Sequence, residues 1–107
     1  MTVIAETTFE LLDTGEKVLV RLFAPRVDEG TTWACRFEIG EPIGKGMDIY
    51  GEGSLQALAL ALQGLSTRLY SSEEWKAGRL VAEGGRPRSY LGIPASQYFL
   101  EEAPYPF

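Results

Sequence analysis

Two glycine-bracketed stretches have the residue types to cradle a phosphate: GEPIGKG at residues 40–46 and GEGS at residues 51–54. Such a site needs free backbone N–H groups at a helix start, usually offered by a glycine-rich loop. In the first stretch, Gly40 and Gly44 stand one residue too close for a P-loop. Gly46 also occupies the place where Ser or Thr should follow Lys45. In the second, Glu52 would repel an anion, and Leu55 and Gln56 follow where a dinucleotide fingerprint wants a third glycine. The expectation is therefore mechanical. Gly51 and Gly53 bend the chain between a strand and a helix, and Gly53 or Ser54 caps the helix.

Other chemistry is constrained by what is missing. The chain has no histidine and a single cysteine, Cys35. A Ser-His-Asp or Cys-His nucleophile system and a Cys/His zinc site are excluded within one chain. Acid–base work would fall to a perturbed carboxylate, Lys, Tyr or Cys35. Cys35 lies on the apolar face of a strand pattern and reads as a small core residue, not a thiolate. Glu6, Glu10, Asp48 and Glu52 would converge on a metal or a substrate only if the first and fourth strands were neighbours, and Arg21 and Arg36 are available to pair with them instead. Lys76, Arg79, Arg86 and Arg88 make a basic loop, in which Arg79, Arg86 and Arg88 are candidates for an anion or an acidic partner. It lacks the interleaved aromatics of nucleic-acid platforms. No cofactor and no metal are expected.

The elements that would position these groups follow from periodicity. The alternation in TTFELL and in KVLVRLF, around Asp13-Thr14-Gly15, predicts a hairpin. Pro25 ends the second strand, and RVDEG reads as a polar loop. TTWACRFEIG alternates most cleanly, with Trp33, Cys35, Phe37 and Ile39 on one face. GMDIYG gives a short fourth strand. From Ser54, Leu55, Leu58, Ala59, Leu62, Leu65 and Leu69 form an apolar helix stripe. Another side of that helix carries Ala57, Ala61, Gly64 and Arg68, and Leu60 stands among polar neighbours. This strip would receive either the C-terminal segment of the same chain or a second subunit. SSEEWKAG reads as a short helix with capping-box spacing between Ser71 and Glu74, and RLVAE as a fifth strand or an irregular segment. Pro94 opens a last short helix, PASQYFLEE, before an aromatic tail, APYPF.

The whole predicts one α+β domain over residues 1–107: an antiparallel meander of about four strands on one long helix, with short C-terminal helices. A formal charge of −5 argues against nucleic-acid binding. The acids are uneven, ten against five bases in residues 1–53 and five of each thereafter. Residues 55–65 are too short and too interrupted to span a bilayer, and the N-terminus has no signal-peptide pattern. A reducing cytoplasm is expected.

Trp33-x-Cys35 and Ile49-x-Gly51-x-x-Ser54-Leu55-Gln56-Ala57-Leu58-x-x-Ala61-Leu62 resemble a small family of uncharacterised bacterial domains. The resemblance covers roughly residues 30 to 70 and implies no catalytic residue. In outline, strands followed by a helix are also similar to the HicB-type antitoxin domain, an analogy of fold alone. The leading expectation is a non-enzymatic interaction module, a homodimer or an inhibitor or immunity-like partner of another protein, contacting through Ala57, Leu60, Ala61, Gly64 and Arg68. The alternative is a small-molecule binder or weak enzyme with a carboxylate/arginine cleft.

Overall fold

In the computed structural model, which describes residues 1–93, the chain runs β1 (Val3–Leu11), β2 (Lys17–Phe23), β3 (Arg26–Glu29), β4 (Thr32–Ile39), β5 (Lys45–Glu52), α1 (Gly53–Tyr70), α2 (Glu73–Lys76) and β6 (Leu80–Ala82). Every strand pairing is antiparallel. β2 and β3 lie end to end along one edge of β4, and β5 covers the other edge, so the sheet reads β6, β1, β2/β3, β4, β5. The meander is the predicted one.

RVDE is the first departure: it is a strand, not a loop. Pro25 does interrupt pairing, having no N–H to donate. Beyond it the chain keeps its direction, and Arg26 and Val27 pair with Ala34 and Trp33. Pro25 thus splits one long strand into two without turning it. RLVAE resolves as a strand: β6 pairs with β1 from Phe9↔Ala82 to Leu11↔Leu80.

Alternation sorts the sheet into two faces. Phe9, Leu11, Val18, Val20, Leu22, Cys35, Phe37 and Ile39 are buried on the face that carries α1. The opposite face presents Glu6, Arg21, Arg36, Glu38, Asp48 and Tyr50 and has no layer over it among the described residues. One dry face and one wet face is what an antiparallel sheet allows.

The helix is turned from its predicted orientation. Ala57 and Ala61 are 0% exposed, in the core beneath α1, together with Leu65, Leu69 and Tyr70. Leu55, assigned to the buried stripe, is 78% exposed, and Ala59 is exposed too. Small residues belong beneath the helix because its backbone lies close to β5. A side-chain carbon added to Gly51 would stand 2.7 Å from the Ala57 nitrogen, and one added to Gly64 would stand 3.4 Å from the Phe37 ring. The strip of Ala57, Ala61 and Gly64 therefore meets this chain's own sheet, where a second subunit or another segment was expected. Leu60, at 39% exposure, and Arg68 remain at the surface.

The glycines at residues 51–54 bend the chain. Gly51 admits the first turn of α1, and Gly53 has φ +83°, a backbone region that favours glycine. The cap lies one or two residues earlier than predicted, at Glu52, whose N–H donates to Gln56 Oε1 at 2.5 Å. Glu52 in turn accepts from the Thr31 hydroxyl at 2.7 Å. The cap of α2 is also displaced by one: Ser72, not Ser71, accepts from the Trp75 N–H at 3.1 Å. The expected helix over PASQYFLEE and the tail APYPF lie outside the described residues.

Candidate functional site

The expected carboxylate cluster does not assemble. β2 and β4 stand between β1 and β5. With strands roughly 4.8 Å apart, that keeps Glu6 and Glu10 about 14 Å from the β5 line. Each acid has a local partner instead. Glu10 accepts from Lys17 Nζ at 2.7 Å, and Glu6 lies 3.4 Å from Arg21 Nε, across the β1–β2 ladder. Asp48 lies 3.1 Å from Arg26 Nη2 and 3.6 Å from Arg36 Nη1, and Arg36 Nε donates to Glu38 at 2.9 Å. The wet face is an interlocked ladder of opposite charges. Among the described residues, no three Cys, Asp or Glu side chains are placed to hold a metal ion.

The basic loop is divided as well. Arg79 is tied to the β1–β2 turn by Asp13 at 3.4 Å and leans on Glu74 at 4.0 Å. Arg86 and Arg88 sit in the turn closed by Ser89, whose hydroxyl donates to the Arg86 carbonyl at 2.7 Å. Arg79 thus serves the packing of β6 against the hairpin.

The groups that burial perturbs are structural. Burial pushes the Cys35 thiol up, and its Sγ donates to the Phe23 carbonyl at 3.2 Å. Burial also pushes the Tyr70 phenol from its ordinary 10.0 to about 12. That hydroxyl donates to the Ile93 carbonyl at 3.0 Å and accepts from the Leu91 N–H at 2.9 Å. Trp75 meets Tyr70 edge-on at 5.2 Å, and its indole N–H donates to the Ser89 carbonyl at 3.1 Å. Two aromatic side chains thereby hold residues 89–93 against the helices. Sequence reasoning missed this clamp, because its acceptors are backbone carbonyls that leave no mark on residue types.

Three surface features remain. On the wet face, a cleft of ≈390 Å³ between β2, β4, the 40–44 loop and the start of β5 gathers Arg21, Arg36 and Lys45 with Glu38 and Glu41. On the helix face, an apolar groove of ≈190 Å³ runs between α1 and β1. The third feature is the free edge of β5, which pairs with β4 only, among the described residues. Its register runs unbroken from Thr32↔Glu52 to Ile39↔Lys45, with no bulge. The other edge of the sheet is β6, three residues long, which covers only Phe9–Leu11 of β1 and leaves Val3–Thr8 open on that side among the described residues, with a register irregularity near Val3–Ala5. Lys45 stands at one end of the free edge and Glu52 at the other. Leu60 and Arg68 project from the side of α1, and Arg68 joins Ile43 and Lys45 around a further shallow hollow. No described helix is long and apolar enough to cross a membrane.

No curated protein and no solved structure matches the chain. Residues 5–95 match a domain of unknown function, DUF6968, a span that takes in the whole sheet from Ala5 onward, both helices and the clamped 89–93 segment. With so much of the fold inside the match, the chain belongs to the DUF6968 family.

Proposed function

We propose that this protein is a non-enzymatic interaction module that recruits a partner strand along β5, and that its first partner is a second copy of itself. The observation that carries the reading is the free β5 edge, eight residues long, unbulged and without proline. Natural sheets commonly blunt such edges with a bulge, a proline or a covering element, because the unpaired N–H and C=O groups template another strand. Strand addition uses those groups for affinity and flanking side chains for selectivity. An antiparallel second copy brings each Lys45 end toward the partner's Glu52 end, so the edge is complementary to itself in charge. Leu60, exposed on the helix, would offer such a partner an apolar contact. Inhibitor or immunity-type action on another protein would use the same edge. The lone buried thiol suits a reducing, cytoplasmic setting.

The test is association measured by sedimentation velocity from low to several hundred micromolar, with amide exchange read on β5. The module reading expects a concentration-dependent dimer, slowed exchange confined to β5, and at least tenfold weaker association for Leu60→Glu. A strict monomer whose outward β5 amides exchange freely at the highest concentration sinks it.

A small-molecule reading rests on the wet-face cleft. Its arginines already face carboxylates at 2.9–3.6 Å, which leaves Lys45, among the described residues, as the cation without an ion-pair partner there. An anion would have to break existing pairs to gain more than one charge. Saturable shifts of Arg21 and Arg36 side-chain signals with inorganic phosphate or a dicarboxylate would favour that reading.

A further inference from the structure

Hydrogen bonding at the end of β5 fixes which backbone groups face its free edge. The Gly53 N–H donates inward to the Thr31 carbonyl at 3.1 Å, whereas the Glu52 N–H turns away from β4 and donates to Gln56 Oε1. Backbone direction alternates along a strand, so Gly46, Asp48, Tyr50 and Glu52 aim their N–H and C=O groups outward. The side chains of Asp48, Tyr50 and Glu52 stand on the wet face, where Arg36 lies across from Asp48. The Arg36 guanidinium donates through Nε to Glu38 at 2.9 Å and faces Asp48 through Nη1 at 3.6 Å. Its Nη2 turns over Gly46, 2.6 Å from where a side-chain carbon would stand there. The missing side chain leaves a notch at the free edge, with a guanidinium above it.

We infer that Gly46 and the Arg36 guanidinium form a socket for the Glu52 carboxylate of a second copy, which sets the β5–β5 pair in a register centred on Ile49. The inference rests on the strand-pairing reading above and names the contacts that select the partner. An antiparallel pair about a two-fold axis has equal backbone bonding when centred on Asp48 or on Ile49, and centres nearer either end shorten the ladder. Side chains choose between the two. A centre at Asp48 sets two carboxylates directly opposite one another, which is unfavourable. A centre at Ile49 pairs Ile49 with itself on the helix-bearing face and sets Asp48 opposite Tyr50. It also sets Glu52 opposite Gly46, beside the Arg36 guanidinium, and the two-fold axis makes that contact twice. The Thr31 hydroxyl occupies Oε2 of Glu52, so Oε1 is available to the partner's Arg36. The Glu52 N–H is already satisfied by Gln56, so at this end of the ladder the side chain, more than the backbone, makes the bond.

The experiment mixes carbon-13-labelled and unlabelled full-length chains at several hundred micromolar, so that isotope-filtered spectra show only contacts between copies. Facing residues of a non-hydrogen-bonded antiparallel pair have Cα atoms about 4.5 Å apart, which brings their Hα protons into strong nuclear Overhauser contact. The expected contact joins Met47 Hα of one copy to Gly51 Hα of the other. A contact from Met47 to Ile49 instead, the register centred on Asp48, would overturn the socket and leave strand pairing along β5 standing. No contact between copies from β5 would overturn both. Sedimentation of Glu52→Gln, Arg36→Gln and the double variant supplies a second readout. Glu52→Gln should weaken association at least about threefold in the wild-type background and less than about 1.5-fold once Arg36 is Gln. An equal effect of Glu52→Gln in both backgrounds would overturn the socket, because Arg36 would then act through its own chain alone.

Discussion

Adding one methyl group at Gly51 tests how closely α1 rests on the sheet. In Gly51→Ala the new carbon would meet the Ala57 nitrogen at 2.7 Å, the Ala57 Cα at 3.0 Å and the Gln56 carbonyl carbon at 3.0 Å. Non-bonded carbons settle at roughly 3.5–4.0 Å. All three neighbours are backbone, so no side chain can swing aside. The first turn of α1 must rise from β5 by about half an ångström or more, loosening Ala57 and Ala61 behind it. Overpacking of this kind costs about 1–3 kcal/mol. With a urea slope of ~2 kcal/mol/M, a 2 kcal/mol loss lowers the midpoint by ~1 M. Two other glycines serve as internal standards. In Gly53→Ala the space is open but φ is +83°, so the expected loss is backbone strain alone, ~1–2 kcal/mol. In Gly64→Ala the new carbon makes ordinary contacts, 3.4 Å to Phe37 and 3.6 Å to Ile49, inside a helix. Removing an interior glycine there raises stability by ~0.5–1 kcal/mol. Equilibrium urea unfolding followed by Trp fluorescence reads all three. If Gly51→Ala lies within ~0.5 kcal/mol of wild type, or Gly64→Ala destabilises by more than 1 kcal/mol, the placement of α1 is wrong.

Tyr70→Phe orphans the Leu91 N–H and the Ile93 carbonyl and should cost ~1–3 kcal/mol in the same assay. Because the folded phenol titrates above the unfolded one, its contribution is intact below pH 10 and lost as pH rises toward about 12; the stability gap between wild type and Tyr70→Phe should close across that window, and a constant gap refutes the linkage. Cys35, buried and with its thiol pushed up, should react with a disulfide reagent at pH 8 only as fast as the chain unfolds, so rapid labelling of the native protein would contradict its place in the core. Arg36→Met removes the pairings to Glu38 and Asp48 and should destabilise by about 1 kcal/mol, a loss that shrinks in molar salt; a salt-independent effect would point to packing instead.

Much of this fold can be read from residue order because the relevant forces are local. Trp33, Cys35, Phe37 and Ile39 alternate against Ala34, Arg36 and Glu38, and period-two burial follows wherever a strand has one dry side. Gly51 and Gly53 announce a bend through their lack of a side chain. The absence of histidine excludes whole classes of chemistry without any coordinates. Gly64, Ala57 and Ala61 are equally visible in sequence, yet their direction is not. A helix with leucines on several sides is turned by which face lets its backbone come nearest the sheet, and that depends on Gly51, Phe37 and Ile49 from two strands. RVDE looked like a loop because its composition is polar; it became a strand because β4 had an unpaired edge waiting beside it. Strand order decided the carboxylates: with β2 and β4 interposed, Glu6 and Asp48 found separate arginines. The sequence by itself determined most of the elements, the two faces of the alternating strands and the chemistry that is missing. Only the tertiary structure decided the turn of α1, the free β5 edge and the clamp from Tyr70 and Trp75, because each depends on backbone groups and distances between segments far apart in the chain.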